Sequence, residues 1–267
     1  MVSHLPTAEV ITIGNELLIG KIVNTNSTWL CKRLTFLGFE VRRVVVLPDD
    51  EEEIAQGVKE AAKRGADVLL MTGGLGPTFD DKTSRALSIA LKRKWIINPK
   101  ALEMIKKKYS ERGLEVTEHR LKMAKMPEGA EAIPNPIGTA PGILVKLGKM
   151  LIIALPGVPE EMKAMFEHHV EPLLKTLISE RIFLDAQLKC VGLPESTIAP
   201  IIEKVMEYFP SIYIKSHPLG CESGKPIVLI HLYTSGEKRE ITEKVLLDAK
   251  EMLKRELIEL KGKVMEI

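Results

Sequence analysis

The chain has 267 residues, 45% hydrophobic and 28% charged, which excludes disorder and allows one large domain, or an ordinary domain plus a smaller one. Its 38 basic and 36 acidic side chains leave a net charge of +2, which gives no footprint of a reader of phosphate backbones, and nucleic acid is not an expected partner. Cys31, Cys190 and Cys221 form no CxxC pair, and no signal-peptide pattern or long apolar run is present; a cytoplasmic protein without a disulfide framework, structural zinc or membrane partner is expected. Aromatics make up 4%, so packing must lean on aliphatics. The two glutamines, Gln56 and Gln187, stand beside abundant Lys and Glu, a balance seen in proteins that work hot.

In chain order, residues 10–13 read as an apolar strand ending at Gly14, and Leu30, Leu34 and Leu37 read as a helix closed by Gly38. Val41 and residues 44–47 form a second strand. Pro48-Asp49-Asp50 then opens an acidic-headed helix with Gly65 at its C′ position. Residues 67–72 are a third strand, followed by Gly73-Gly74-Leu75-Gly76-Pro77-Thr78 and a helix through Arg85, Leu87 and Leu91. Strands alternating with helices predict right-handed crossovers and a mostly parallel sheet covered on both faces, an α/β three-layer domain.

Residues 99–124 read as helical with a break at Gly113. Pro127, Pro134, Pro136 and Pro141 mark a long irregular stretch, of the kind that carries function in compact domains. Residues 143–147 and 150–155 read as a strand pair turned by Gly148-Lys149, and Pro159 opens a long helix. After residue 177 the pattern becomes strand 182–191, helix 195–208, strands 211–215 and 227–233, and an amphipathic helix from Glu237. That predicts a small α+β domain over 178–267 after a first domain over 1–177, with 261–267 frayed.

Ligands of an open parallel sheet sit beyond the carboxyl ends of its strands. Three loops qualify: Gly14-Asn15-Glu16, residues 73–81, and residues 135–142. In the second, Gly73, Gly74, Gly76 and Pro77 leave amides uncovered for an anion. Asp80 and Asp81 follow at once, and two carboxylates beside a phosphate cradle call for Mg²⁺ or another divalent cation between them and the ligand. The structural alternative is a tight turn with an N-cap aspartate on the next helix.

Known motifs fit less well. Asp81 stands where a P-loop needs glycine, Phe79 where a dinucleotide fingerprint needs its third, and no strand-flanked GxSxG occurs. His168-His169 reads as a solvated helix face rather than a metal pair. Met123 and Met126 read as packing, and Gly220 and Gly224 as a turn.

Taken in order, Gly14-Asn15-Glu16-Leu17-Leu18, Asn24-Thr25-Asn26, Thr72 to Thr78 with Asp80-Asp81, Asn135-Pro136-Ile137-Gly138-Thr139-Ala140-Pro141-Gly142 and Leu155-Pro156-Gly157-Val158-Pro159-Glu160-Glu161-Met162 resemble the CinA (competence/damage-inducible) family. Gly192-Leu193-Pro194-Glu195-Ser196 resembles the start of that family's small KH-like domain. The resemblance implies a molybdopterin-binding, MogA-like first domain and metal-dependent hydrolysis of ADP-ribose to AMP and ribose 5-phosphate. It also implies self-association, with a dimer favoured. Bacterial relatives usually add a nicotinamide-nucleotide amidase domain; amidase activity is not expected here. One departure stands out: His119-Arg120-Leu121-Lys122-Met123-Ala124 replaces an Asn-Arg-Lys-Gln-Ala-like segment of many relatives.

On this reading the amides of residues 73–78 hold the diphosphate, while Asp80, Asp81 and Glu16 hold the cation. Asp80 or Asp81 acts as ligand or as general base. Asn135 with Gly138, Thr139, Ala140, Pro141 and Gly142 lines the nucleoside or ribose part. Gly14, Asn15, Asn24, Asn26, Thr72, Pro156 and Gly157 complete the substrate set. Two alternatives remain: a non-catalytic pterin or nucleotide binder, and adenylyl transfer to molybdopterin.

Overall fold

The computed structural model describes residues 5–178, 182–222 and 224–267. The chain divides into two compact units, Met1–Thr35 with Phe39–Ile178, and Phe36–Gly38 with Ser179–Ile267. No helix among the described residues is long and apolar enough to cross a membrane.

The first unit begins with β1 (Thr7–Ile13), the single turn α1 (Asn15–Leu18), α2 (Thr25–Leu37) and β2 (Glu40–Leu47). It continues through α3 (Glu51–Lys63), β3 (Val68–Thr72), α4 (Thr83–Leu91), β4 (Trp95–Ile97) and α5 (Pro99–Ser110). Next come α6 (Glu118–Leu121), β5 (Lys125–Pro127), β6 (Glu131–Ile133), β7 (Gly142–Leu147), β8 (Met150–Leu155), α7 (Pro159–Met165) and α8 (Glu171–Lys175). The main sheet has the order β2-β1-β3-β8-β7-β6. Its first four strands pair in parallel, and β7 pairs antiparallel with both β8 and β6.

Every residue of β1 and β3 is buried, as strands covered on both faces require. Ile11, Leu69, Met71 and Ile152 pack with Ile54 and Val58 of α3 and Leu87 of α4. The alternate residues Val10, Leu70 and Ile153 are equally buried and point to the other face. Each such side chain contributes roughly 1.5–3 kcal/mol. Glu9, the charged residue of β1, is bound bidentately by Arg64, at 2.8 Å from Nε and 2.6 Å from Nη2, so its buried charge is compensated. The acidic-headed helix is capped as expected: Asp50 accepts from the amides of Glu52 and Glu53 at 2.9 and 3.1 Å, and these bonds lower its pKa.

The helical reading of 99–124 narrows to α5, α6 and a 3-10 turn at Lys122–Ala124. The irregular stretch contains β5 and β6, and β5 pairs with the unanticipated β4.

In the second unit, β9 (Ile182–Val191), α9 (Glu195–Tyr208), β10 (Ile212–Glu222), β11 (Lys225–Gly236), α10 (Arg239–Glu259) and β12 (Lys263–Glu266) follow in order. The strands form an antiparallel sheet β10-β11-β9-β12. Leu188, Val228, Ile230 and Leu232 of its strands pack with Ile198 and Val205 of α9 and Leu253 of α10. The expected fraying of 261–267 is corrected by β12, which pairs with β9. Glu266 is held there by Lys250 at 2.8 Å and Lys254 at 3.0 Å.

Candidate functional site

Because β1, β3 and β8 are adjacent and parallel, the loops leaving their carboxyl ends meet on one rim. The Gly73 amide donates to Leu155 O at 3.0 Å. Gly73 has φ 107°, and a Cβ there would lie 2.2 Å from Ile13 O, so only glycine fits between the β1 and β8 ends. A Cβ on Gly157 would lie 3.4 Å from Gly73 Cα. On the far side, Thr83 Oγ1 donates to Gly73 O at 2.7 Å and Thr83 N to Gly74 O at 3.1 Å. The carbonyls are thereby tied down. Among the described residues, the amides of Gly74, Leu75 and Gly76 donate to no protein acceptor.

These amides edge a cleft of about 410 Å³. Of the residues expected at the site, Gly14, Glu16, Gly73, Gly74, Gly76, Pro77, Asp80, Asp81, Thr139, Ala140, Pro156 and Gly157 line it. Asp49 and Glu161, which sequence reasoning missed, line it too. The signal for both was available, since Asp49 follows the carboxyl end of β2 and Glu161 lies in the first turn of α7, beyond β8. The packing residue Met123 also reaches the wall.

Among the described residues, five acidic residues and no Lys or Arg therefore line the cleft. Desolvation raises the pKa of Asp49, and the charges of Glu16, Asp80 and Asp81 add to the rise despite the Asn15 amide donating to it at 2.8 Å. Asp80 is shifted down, first by the Thr78 hydroxyl and then by its own amide. The Thr78 hydroxyl lies against both Asp80 and Asp81, and the Thr78 amide donates to Asp81 Oδ2 at 2.7 Å. Asp81 thus braces the loop rather than capping α4, whose N-cap is Lys82 without a side-chain bond. Lys122 Nζ holds the Thr78 carbonyl from behind. Burial lowers the Lys122 pKa, opposed by Asp81 and Asp80.

Other expected residues lie outside the main cleft. Asn24, Asn26 and Thr72 border a separate hollow of about 80 Å³. Asn24 donates to Thr12 Oγ1 at 2.9 Å and accepts from Ser27 N. Asn26 donates to Thr72 Oγ1 at 3.1 Å and Gly157 O at 2.8 Å, and Thr72 Oγ1 to Pro156 O at 2.7 Å. Asn15 ties to Asp49, and Thr78 faces a cavity behind the loop. Asn135 is buried, with both ends of its amide engaged by its own loop and by Glu161. Pro141 shares a hollow with Asn135, Gly142 begins β7, and Gly138 is buried under Glu161. His168 and His169 are exposed, as their helix-face reading expected. No group of three or more His, Cys, Asp or Glu among the described residues is placed to hold a metal ion.

The family model described as "Probable molybdopterin binding domain" matches residues 9–176. The chain belongs to this molybdopterin-binding-domain family. Every residue lining the cleft falls within the matched part of the domain. The crystal structure of the protein CinA of unknown function from Thermoplasma acidophilum is 42% identical, with a TM-score of 0.59, over 63% of this chain and 98% of that one. The molybdopterin-binding domain here is accordingly CinA-like. A protein of Pyrobaculum calidifontis is 51% identical over 86% of this chain and 88% of its own length. Protein PAE0875 of Pyrobaculum aerophilum is 49% identical over 95% of each chain.

Proposed function

We propose that the cleft hydrolyses the diphosphate of ADP-ribose or a related nucleotide, with a divalent cation, to give AMP and ribose 5-phosphate. The observation that carries this reading is the pairing of free amides at Gly74, Leu75 and Gly76 with a wall of acidic residues and, among the described residues, no lining Lys or Arg. Amides alone attract a diphosphate, but uncompensated carboxylates repel it, so the ligand must arrive with a cation. Among the described residues no three His, Cys, Asp or Glu are placed to hold a metal ion, so the cation would come in with the diphosphate, keep its oxygens in the shell, and meet the acidic wall only in part. Asp80, Asp81 and Glu16, the ligands expected from the sequence, are not gathered into a preformed site; the neighbouring Asp80 and Asp81 would meet the cation that the diphosphate brings. When bound, it would offset the charge that develops on the diphosphate.

The chain's own groups supply the rest. The loop amides donate to the phosphate oxygens and fix the reacting phosphorus. Asp80 or Asp81 accepts the proton of the attacking water, and Thr78 keeps both carboxylates in place. Glu161 and Asp49 accept from ribose hydroxyls. A second reading, ligand binding without turnover, takes its support from the family description.

The assay is incubation with ADP-ribose and Mg²⁺ or Mn²⁺, following AMP. Asp81→Ala should slow release by about a hundredfold or more, with a stability change within about 1 kcal/mol. AMP release that survives both chelation and this substitution would sink the reading. Tight pterin binding without turnover would favour the second one.

A further inference from the structure

Behind the glycine loop lies a second cavity, of about 590 Å³, within the range of small-molecule sites. Pro77 borders both it and the cleft, so the two hollows flank the same loop residue. Their walls carry opposite chemistry. Among the described residues, the cleft is lined by five acidic residues and no Lys or Arg, whereas this cavity is lined by His119, Arg120 and Lys122 and no Asp or Glu. Two aromatic rings, Phe79 and Tyr109, complete it.

Tyr109, Arg120 and Lys122 are held in place by the protein. Tyr109 is buried in the core, and the Arg120 guanidinium lies over its ring, 4.2 Å from the centroid. Stacking fixes the plane of the guanidinium and leaves its edge to donate. One nitrogen donates to the Glu115 carbonyl, which sets its rotation. Phe79, by contrast, is 90% exposed, so its face is open for a planar group to cover. Lys122 is fixed against the back of the loop by its bond to the Thr78 carbonyl.

We propose that this cavity binds the nucleoside monophosphate arm of the substrate, with its phosphate against Arg120, His119 and Lys122 and its base over Phe79. The proposal rests on the pyrophosphatase reading, which places the diphosphate at the loop that both hollows share. The ribose 5-phosphate arm then lies in the carboxylate-lined cleft, where hydroxyls meet acceptors and the cation offsets its phosphate. Substrate orientation follows from the charge on either side of Pro77.

Calorimetric titration of the full chain with AMP, and separately with ribose 5-phosphate, tests this at fixed salt. Phe79→Ala and Arg120→Gln should each weaken AMP binding by about tenfold and leave ribose 5-phosphate binding unchanged. Because the Phe79 ring is exposed, a folding defect cannot imitate its loss. AMP affinity that is unchanged in both variants overturns the assignment, as does a loss that falls on ribose 5-phosphate instead. The two readings fail separately. If ADP-ribose is not hydrolysed but AMP binding still depends on Phe79 and Arg120, the reaction falls and the cavity stands. If hydrolysis proceeds with the same KM in both variants, the cavity falls and the reaction stands.

Discussion

The loops at 73–78 and 135–142 are both rich in glycine and proline, and both lie near the cleft, but their hydrogen bonds are arranged in opposite senses. In the first, carbonyls are anchored while the amides of Gly74, Leu75 and Gly76 remain free. In the second, Asn135 Oδ1 takes the amides of Ile137 and Gly138 at 3.1 and 2.7 Å, and its Nδ2 donates to Ala140 O at 3.0 Å and Glu161 Oε2 at 2.7 Å. Buried polar groups must be paired, so the second loop is scaffold that aims Glu161, and the first keeps the free donors that the proposed diphosphate site requires. Composition does not separate these roles; the destination of each donor does.

The largest effect that would break this contrast is on stability. Gly73→Ala puts a Cβ 2.2 Å from the Ile13 carbonyl at φ 107°, where neither backbone can yield without opening the sheet. A loss of at least about 3 kcal/mol is expected by urea unfolding. Gly138→Ala meets only the flexible end of Glu161, at 2.0 Å, and should cost below about 1 kcal/mol while swinging that carboxylate aside. Similar losses for the two would show that the rigidity of the first loop has been misjudged.

Next in size is Asn135→Ala. It removes all four bonds of the side chain and strands the buried Gly138 amide and Ala140 carbonyl, at a cost of about 2–4 kcal/mol. If the residue is scaffold, turnover measured where the variant is fully folded should fall far less than in Asp81→Ala. An equal fall in AMP release would return Asn135 to the substrate contacts.

Much of this architecture is legible in the chain. Strands β1, β3 and β8 are near-continuous apolar runs cut by glycine or proline, and the loop after β3 announces itself through three glycines and two aspartates. What the pattern hides is tertiary. Asp49 joins Glu16, Asp80 and Asp81 only once the parallel register puts β2 beside β1. Asn24, Asn26 and Asn135 read as ligand donors in the sequence, and in the fold their amide nitrogens donate to Thr12, Thr72 and the 135–142 loop. β12 carries too few apolar residues to signal a strand, and it forms because β9 offers an edge and Lys250 and Lys254 hold Glu266.

The smallest effect concerns the repulsion inside the cleft. Asp49 has a raised pKa, from desolvation first and then from Glu16, Asp80 and Asp81. A raised carboxyl pKa means that the folded chain holds this proton more tightly than the unfolded chain does. Stability from this group is therefore present at low pH and lost as pH climbs from the ordinary aspartate value of about 3.9 through the higher folded value. Asp49→Asn keeps an oxygen for the Asn15 amide, 2.8 Å away, and removes the charge. It should stabilise the protein at pH 7 by a few tenths of a kcal/mol, up to about 1, and leave stability unchanged near pH 3, where the wild-type group is protonated. Mg²⁺ should correspondingly raise the Tm of the wild type more than that of the variant, since the cation relieves the same repulsion. A variant that is less stable at pH 7, or equally stabilised at both pH values, would mean that Asp49 is not part of the carboxylate field that sets the free-amide loop apart from its scaffolding neighbour.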